Sequence, residues 1–260
     1  MNRNLENFRT CYSPFSRGWG LFSLFSFFIT FFLNSCDDSA LFDSGKTVTK
    51  EIALTENFTT IEVKELFDIK LVNDTENKAI LTCGENLLPG IKIYVENESL
   101  YLDQDLKYKW SRNYDKIKLE LHLISASYIN VHKPCHIFTT DTFKSSNFIL
   151  VDWGKFTDLD VLLDVAYTSI QVSSDNYGIY RLHGKTQDAD FVGRGSIFVY
   201  AGDMEIRNCN VDTKSIGDFY LEVSKSLNAT ITSSGNIYYK GNPVIVNDLK
   251  STGKVIRWNN

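Results

Sequence analysis

The sequence predicts an all-β chain wound as a β-solenoid, and three observations carry that expectation. Eighteen Phe and thirteen Tyr stand beside only four Pro, and aromatic side chains suit a pleated, half-buried surface. Apolar and polar residues alternate over short segments, with no long amphipathic helix among them. A small-polar-apolar phrase recurs through the C-terminal half at about twenty residues, the length of one solenoid rung. An antiparallel β-sandwich is the alternative, because regularly spaced strands with turn signals fit it as well.

Taken in order, residues 1–35 stand apart from the fold. Arg3, Arg9 and Arg17 form a basic leader, and Leu21–Leu33 is an uncharged run of thirteen residues. That is too short to span a bilayer comfortably and right for a signal-peptide core. Leu33-Asn34-Ser35-Cys36 follows at once. A small residue directly before a cysteine, closing such a core, resembles the lipobox of bacterial lipoproteins. Cys36 is therefore expected to carry lipid, with the membrane as its partner. Asp37 and Asp38 resemble lipoprotein sorting signals. Residues 36–52 are read as the lipidated cysteine and a polar tether, and residues 53–260 as a single all-β domain.

Without the leader the chain holds 24 basic and 31 acidic residues, a net charge of −7. No basic face is suggested for neutralising phosphates, which argues against a nucleic-acid partner. Cys83, Cys135 and Cys209 are odd in number and lack a C-x-x-C pair. They are expected to be small buried thiols rather than a disulfide framework or a zinc site.

Within the domain, TTIEV (59–63), LFDIKLV (66–72), IKIYV (91–95), KIKLELHL (116–123) and DFYLEV (218–223) place apolar residues at every second position, the period of a half-buried strand. The repeat then aligns SSNF (145–148), YTSI (167–170), RGSI (194–197), IGDF (216–219), SGNI (234–237) and TGKV (252–255). Its apolar members are Phe148, Ile170, Ile197, Phe219, Ile237 and Val255. They are expected to stack, since one rung cannot bury its apolar face alone. Gly195, Gly217, Gly235 and Gly253 are read as structural turns that need a positive φ. In SSGNIYYKGNP (233–243), Ile237 and Tyr239 should share one face and Tyr238 and Lys240 the other. Gly241-Asn242-Pro243 should end the strand, because proline cannot donate to a ladder.

GNIYYKGNP, STGKV, IYRLHGKTQDADF (179–191), RGSIFV, FTTIEVKELFDIKLV (58–72) and CGENLLPGIKIYVENESLYL (83–102) together resemble the head GIN domain family of auto-transporter adhesins, over roughly residues 55–257. The resemblance implies a right-handed parallel β-helix-like body behind a signal or lipobox, with no catalytic residues to carry over. Corners in that family commonly read Gly-Ser-Gly-Asp, and Ser145–Asn147 and Thr168–Ser169 depart from it.

Chemistry-bearing clusters are few. His132, Cys135 and His136 lie within five residues, but structural zinc wants four ligands, so a solvated turn with a buried thiol is expected. Asp158 and Asp160 (with Asp164 nearby) would share a strand face and are weak binding candidates, either for a cation or as a carboxylate pair in glycoside cleavage. Trp110, between Tyr108 and Tyr114, and Tyr238, beside Tyr239, are binding candidates because exposed rings stack on sugars or proteins. No catalytic fingerprint, metal site or cofactor is indicated. The function expected is adhesion, binding or scaffolding at the outer membrane or cell surface, with a protein or glycan ligand. A carbohydrate-binding or carbohydrate-active envelope protein is the alternative, and a periplasmic envelope-stress partner is a third.

Overall fold

The computed structural model describes residues 43–106, 117–125, 127–173 and 176–258. Sixteen strands join one sheet that winds into a β-solenoid of about six turns. The early strands are β1 (Thr47–Ala53), β2 (Thr60–Val63), β3 (Asp68–Asn73), β4 (Lys78–Gly84), β5 (Ile91–Glu96), β6 (Ser99–Gln104), β7 (Lys118–Leu123), β8 (Tyr128–Val131) and β9 (Cys135–Phe138). The later ones are β10 (Phe143–Asp152), β11 (Phe156–Val172), β12 (Tyr177–Ser215), β13 (Phe219–Ile231), β14 (Ile237–Lys240), β15 (Val244–Leu249) and β16 (Val255–Arg257). All five alternating segments of the sequence are strands. Fully extended, the 39 residues of β12 would reach ~130 Å, so that strand keeps its ladder while turning corners.

From β8 onward every pairing is parallel: β8 on β10, β10 on β11, β11 on β12, β12 on β13, then β13 on β14 and β15, and β14 on β16. That excludes the antiparallel sandwich. Antiparallel pairs among the described residues gather at the N-terminal end, where β1 lies on β4, β4 on β7 and β5 on β6. There the short 3₁₀ turn Glu85–Gly90 buries Leu87. β1 falls inside the stretch read as tether. Its half-buried Val48 and Ile52 alternate with exposed Thr49 and Glu51, so a polar edge strand has the composition of a linker.

Inward residues stack as the repeat requires, although its register holds only in the last rungs. Phe219 pairs with Ile237 and Ile237 with Val255, eighteen residues apart each time, and Val199 pairs with Phe219. Ile170 instead pairs with Leu150 and Phe191, while Phe148 pairs with Thr168. Earlier rungs are longer, at twenty and twenty-one residues, so a phrase anchored on corners slips against the ladder. Cys83, Cys135 and Cys209 are free and buried in this core, and burial pushes all three thiols above their usual range.

Four glycines were expected to turn corners through positive φ, yet only Gly195 does, at +83°. The others are glycine because the rungs approach too closely for a side chain. A Cβ on Gly217 would strike the Ile197 carbonyl, one on Gly235 the Gly217 carbonyl, and one on Gly253 the Gly235 carbonyl. The second corner does need the left-handed region, at Gly184 and Gly241, both with φ +96°. Gly241 opens the Gly-Asn-Pro break between β14 and β15, as the sequence suggested. Gly235→Ala should therefore lower stability by about 2–4 kcal/mol, read from the urea midpoint. A wild-type midpoint would disprove the close-contact account of this column.

Candidate ligand-binding face

The strands that follow the glycine corner alternate strictly. Val199, Phe219 and Ile237 point inward and are buried, which sends Tyr200, Tyr220 and Tyr238 outward from one column. The parallel ladder brings their rings into a slipped stack, with centroids 5.3 Å apart for Tyr200 and Tyr220 and 5.0 Å for Tyr220 and Tyr238, and planes within 11°. Phe198 continues the stack at 6.4 Å. Trp258 closes it edge-on to Tyr220 at 5.6 Å, held by its amide N–H to the Tyr239 carbonyl at 2.7 Å. Gly202 gives the indole its seat, since a Cβ there would stand 3.0 Å from the ring.

Charged groups border the rings. The Lys240 ammonium lies 5.4 Å from the Trp258 ring centre and 3.5 Å from Glu222. It also faces Asp203 at 3.9 Å, and Asp203 faces His183 at the same distance. Burial, and then the negative charge of Asp218, pushes the Tyr220 hydroxyl above the usual phenol range, so it is a neutral hydrogen-bonding group at physiological pH. Such a surface can stack on flat apolar or sugar rings and bond their hydroxyls.

Tyr238 thus lies within a built surface, while Tyr239 turns inward and packs against the core. Asp158 and Asp160 do share a face, but side chains of the next rung, Arg181 and His183, occupy them. Arg181 donates to Asp158 at 2.6 Å, and His183 lies 3.3 Å from Asp160. Asp164 has Lys185 at 3.5 Å. Trp110 and Cys36 lie outside the described residues. His132 and His136 are not brought together with Cys135 as ligands: His132 meets Glu62 at 2.8 Å, His136 meets Asp68 at 2.6 Å, and the thiol is buried. Among the described residues no group of three or more His, Cys, Asp or Glu could hold a metal ion. Sequence reasoning missed Tyr200, Tyr220, Gly202 and Trp258. The recurring pairs Val199-Tyr200, Phe219-Tyr220 and Ile237-Tyr238, an inward residue followed by an outward tyrosine, are the signal that could have found the ladder.

The histidine–carboxylate pairs concentrate in the N-terminal rungs. His122 lies between Asp74, at 2.8 Å, and Glu120, at 2.9 Å. The Thr75 backbone N–H, with His122 and Lys78, holds the Asp74 carboxyl down at about 2. For Glu62, burial works upward, but hydrogen bonds from Lys64, Asn130 and His132 outweigh it and keep the group low.

The family described as "Putative auto-transporter adhesin, head GIN domain" matches residues 57–243. Three crystal structures share the fold. A putative adhesin from Bacteroides fragilis aligns with TM-score 0.72 at 20% identity, over 82% of this chain and 97% of its own. A putative lipid binding protein from Parabacteroides distasonis gives 0.61 at 18%, over 83% and 98%. A putative adhesin from Parabacteroides merdae gives 0.56 at 17%, over 83% and 97%. No curated protein matches the sequence.

Tyr220 touches three rings and Tyr238 only one of them, so Tyr220→Ala should cost about 1–2 kcal/mol and more than Tyr238→Ala, in urea denaturation. Equal losses would mean that the rings are neighbours without coupling. The depressed carboxylates set an acid dependence. Their stabilisation is complete above the unfolded values near 4 and is lost as pH falls through the folded ones. The stability gap between wild type and Asp74→Asn should therefore narrow as pH drops from about 4 to about 2. A gap that stays constant down to pH 2 would remove Asp74 from this account.

Proposed function

Since the chain belongs to the head GIN domain family of auto-transporter adhesins, we propose that it is an exported, non-catalytic binding module. It is anchored by lipid on Cys36 at the outer membrane, with the Tyr200–Tyr220–Tyr238 ladder and Trp258 as its ligand face. The single observation behind this reading is the stack of parallel rings at rung spacing. A continuous apolar surface rimmed by Lys240, Glu222 and Asp203 suits a protein or glycan partner. The family supports an adhesion-like, surface or exported role. The run Leu21–Leu33 before Ser35-Cys36 supports the lipid anchor. Asp158, paired with Arg181, and Asp160, in contact with His183, favour binding over glycoside cleavage, which needs one carboxyl held protonated beside a second one free to act as base or nucleophile.

Proteinase K treatment of intact cells tests display. The wild-type domain should be degraded while a periplasmic control survives, and Cys36→Ala should no longer be retained on the membrane. Protection until the outer membrane is broken would place the domain inside and defeat surface adhesion. With display established, Tyr200→Ala/Tyr238→Ala should lower cell attachment to glycan- and protein-coated surfaces by about tenfold, as loss of two aromatic anchors predicts. Undiminished attachment would move the ligand to another face.

A further inference from the structure

A second feature lies away from the aromatic face, at the other corner of the solenoid. The strands bend there at Gly184 and Gly241, and β12 and β13 slip register twice, between Ala201 and Glu205 and between Ile206 and Asn208. The bend opens a groove of about 720 Å³ whose lining includes Ser146, Lys185, Gln187, Arg207, Ser224 and Lys225. A neighbouring hollow of about 370 Å³ shares Asp164, Lys185 and Glu205 with it and reaches Lys144. Together they make a trough crossing β10, β11, β12 and β13, along the direction in which rungs stack.

Its charge runs against that of the chain. The protein carries a net charge of −5, yet four cations, Lys144, Lys185, Arg207 and Lys225, border the trough against two carboxylates. Asp164 is already paired with Lys185 at 3.5 Å, which leaves Glu205. Arg207 and Lys225 are exposed and have no carboxylate partner among the described residues. Successive rungs repeat at ~4.8 Å, so these cations meet an extended ligand at intervals close to the length of one sugar ring. Among the described residues no aromatic side chain lines the groove, which leaves nothing there for a nucleobase to stack on. Its larger apolar members Val165 and Ile206 are buried, and the exposed apolar surface is limited to the Ala166 methyl and half-buried Leu162, a small footing for a peptide's apolar side chains. Hydroxyl and amide groups from Ser146, Gln187 and Ser224 fill the space between the charges.

We infer that this trough binds an extended anionic polysaccharide, a polyuronate, with Arg207 and Lys225 facing its carboxylates and the hydroxyl-bearing lining facing its ring hydroxyls. The site is independent of the aromatic ladder. The full chain in mild detergent, run by affinity electrophoresis through gels holding sodium polygalacturonate, tests it. Retardation should be strong at low salt and fall as salt screens the charges. It should be absent with the fully methyl-esterified polymer, which keeps the backbone and loses the charge. Arg207→Glu/Lys225→Glu should weaken it by about tenfold or more, and Lys225→Ala by less, both with wild-type circular dichroism. Tyr220→Ala should leave it unchanged, which separates this site from the aromatic face. No retardation of the wild type, equal retardation by the neutral ester, or full retention by the charge-reversed variant would each overturn the inference. Poly-L-glutamate binding as well as polygalacturonate would overturn it in favour of an acidic peptide.

Discussion

The solenoid depends on one close approach, repeated: the backbone of each corner lies directly beneath the carbonyl of the corner before it. From Ile197 through Gly217 and Gly235 to Gly253, every added Cβ would meet the oxygen of the previous rung. At this distance the amides can bond from rung to rung, Gly235 N to Ser215 O at 3.2 Å and Gly253 N to Ser233 O at 3.1 Å. Wider corners would splay the ladder and break the parallel pairing on both sides. Ser215, fully buried, serves the first such corner, accepting from the amides of Ile197 and Gly217 and donating to the Ile197 carbonyl. A buried hydroxyl is tolerated because its hydrogen-bonding capacity is used.

Once rungs are locked in register, side chains have no choice but to form columns, and each column takes the chemistry its residue type allows. Inward it is aliphatic and aromatic packing. Outward, the same spacing gives the tyrosine stack on one face and a polar ladder on another, where Tyr167, Asp190, Asn210 and Asn228 join side chain to side chain at 2.7, 2.7 and 2.8 Å. Where a polar group is buried, its partners come from adjacent rungs too. Asp152, inaccessible to solvent, accepts from Gly154 N at 2.6 Å and from the Tyr180 hydroxyl at 2.5 Å. Burial, followed by the negative charge of Asp152, raises the Tyr180 hydroxyl well above its ordinary value and keeps it a donor. A binding face on this fold is thus a property of the repeat, since one outward tyrosine per rung suffices to build a platform.

Legibility in the sequence followed the range of the interaction. Alternation is local, and Ile61, Ile69, Leu119 and Phe219 were placed correctly on the buried side of their strands by their neighbours alone. The glycine column was found, but only Gly195 has the positive φ expected of it, and for Gly217, Gly235 and Gly253 the cause was another: φ belongs to one residue, whereas the carbonyl that excludes a Cβ belongs to a residue about eighteen to twenty positions away. Rung length escaped for the same reason. Corners vary by two or three residues and only the ladder reveals how much, so Ile170 was aligned with Ile197 when its partner is Phe191. Asp158 and Asp160 were correctly set on one face, but Arg181 and His183, which occupy them, come from the following rung. Tyr238 was noticed for its neighbour Tyr239, which faces inward, and its true companions stand one and two rungs earlier.

The two ends of the solenoid are treated differently, and this asymmetry bears on what the fold can do. At the N-terminal end the direction of pairing reverses, and polar β1 and charged β5 form the outermost edges. Charged, antiparallel edge strands discourage further pairing. At the C-terminal end β15 and β16 each pair on one side only among the described residues, with Val244 72% and Val246 62% exposed, and Ile245 and Val255 only partly covered. Stacked repeats need a cap because the last rung has nothing to bury its inward face. Trp258 follows β16 and folds onto the outward Tyr220 ring and Gly202 instead, so it covers the outer side of these turns and not their core. The residue that follows the last strand is thereby the one that completes the aromatic surface, so the ligand face extends to this end of the ladder while the core beneath it is closed by aliphatic side chains.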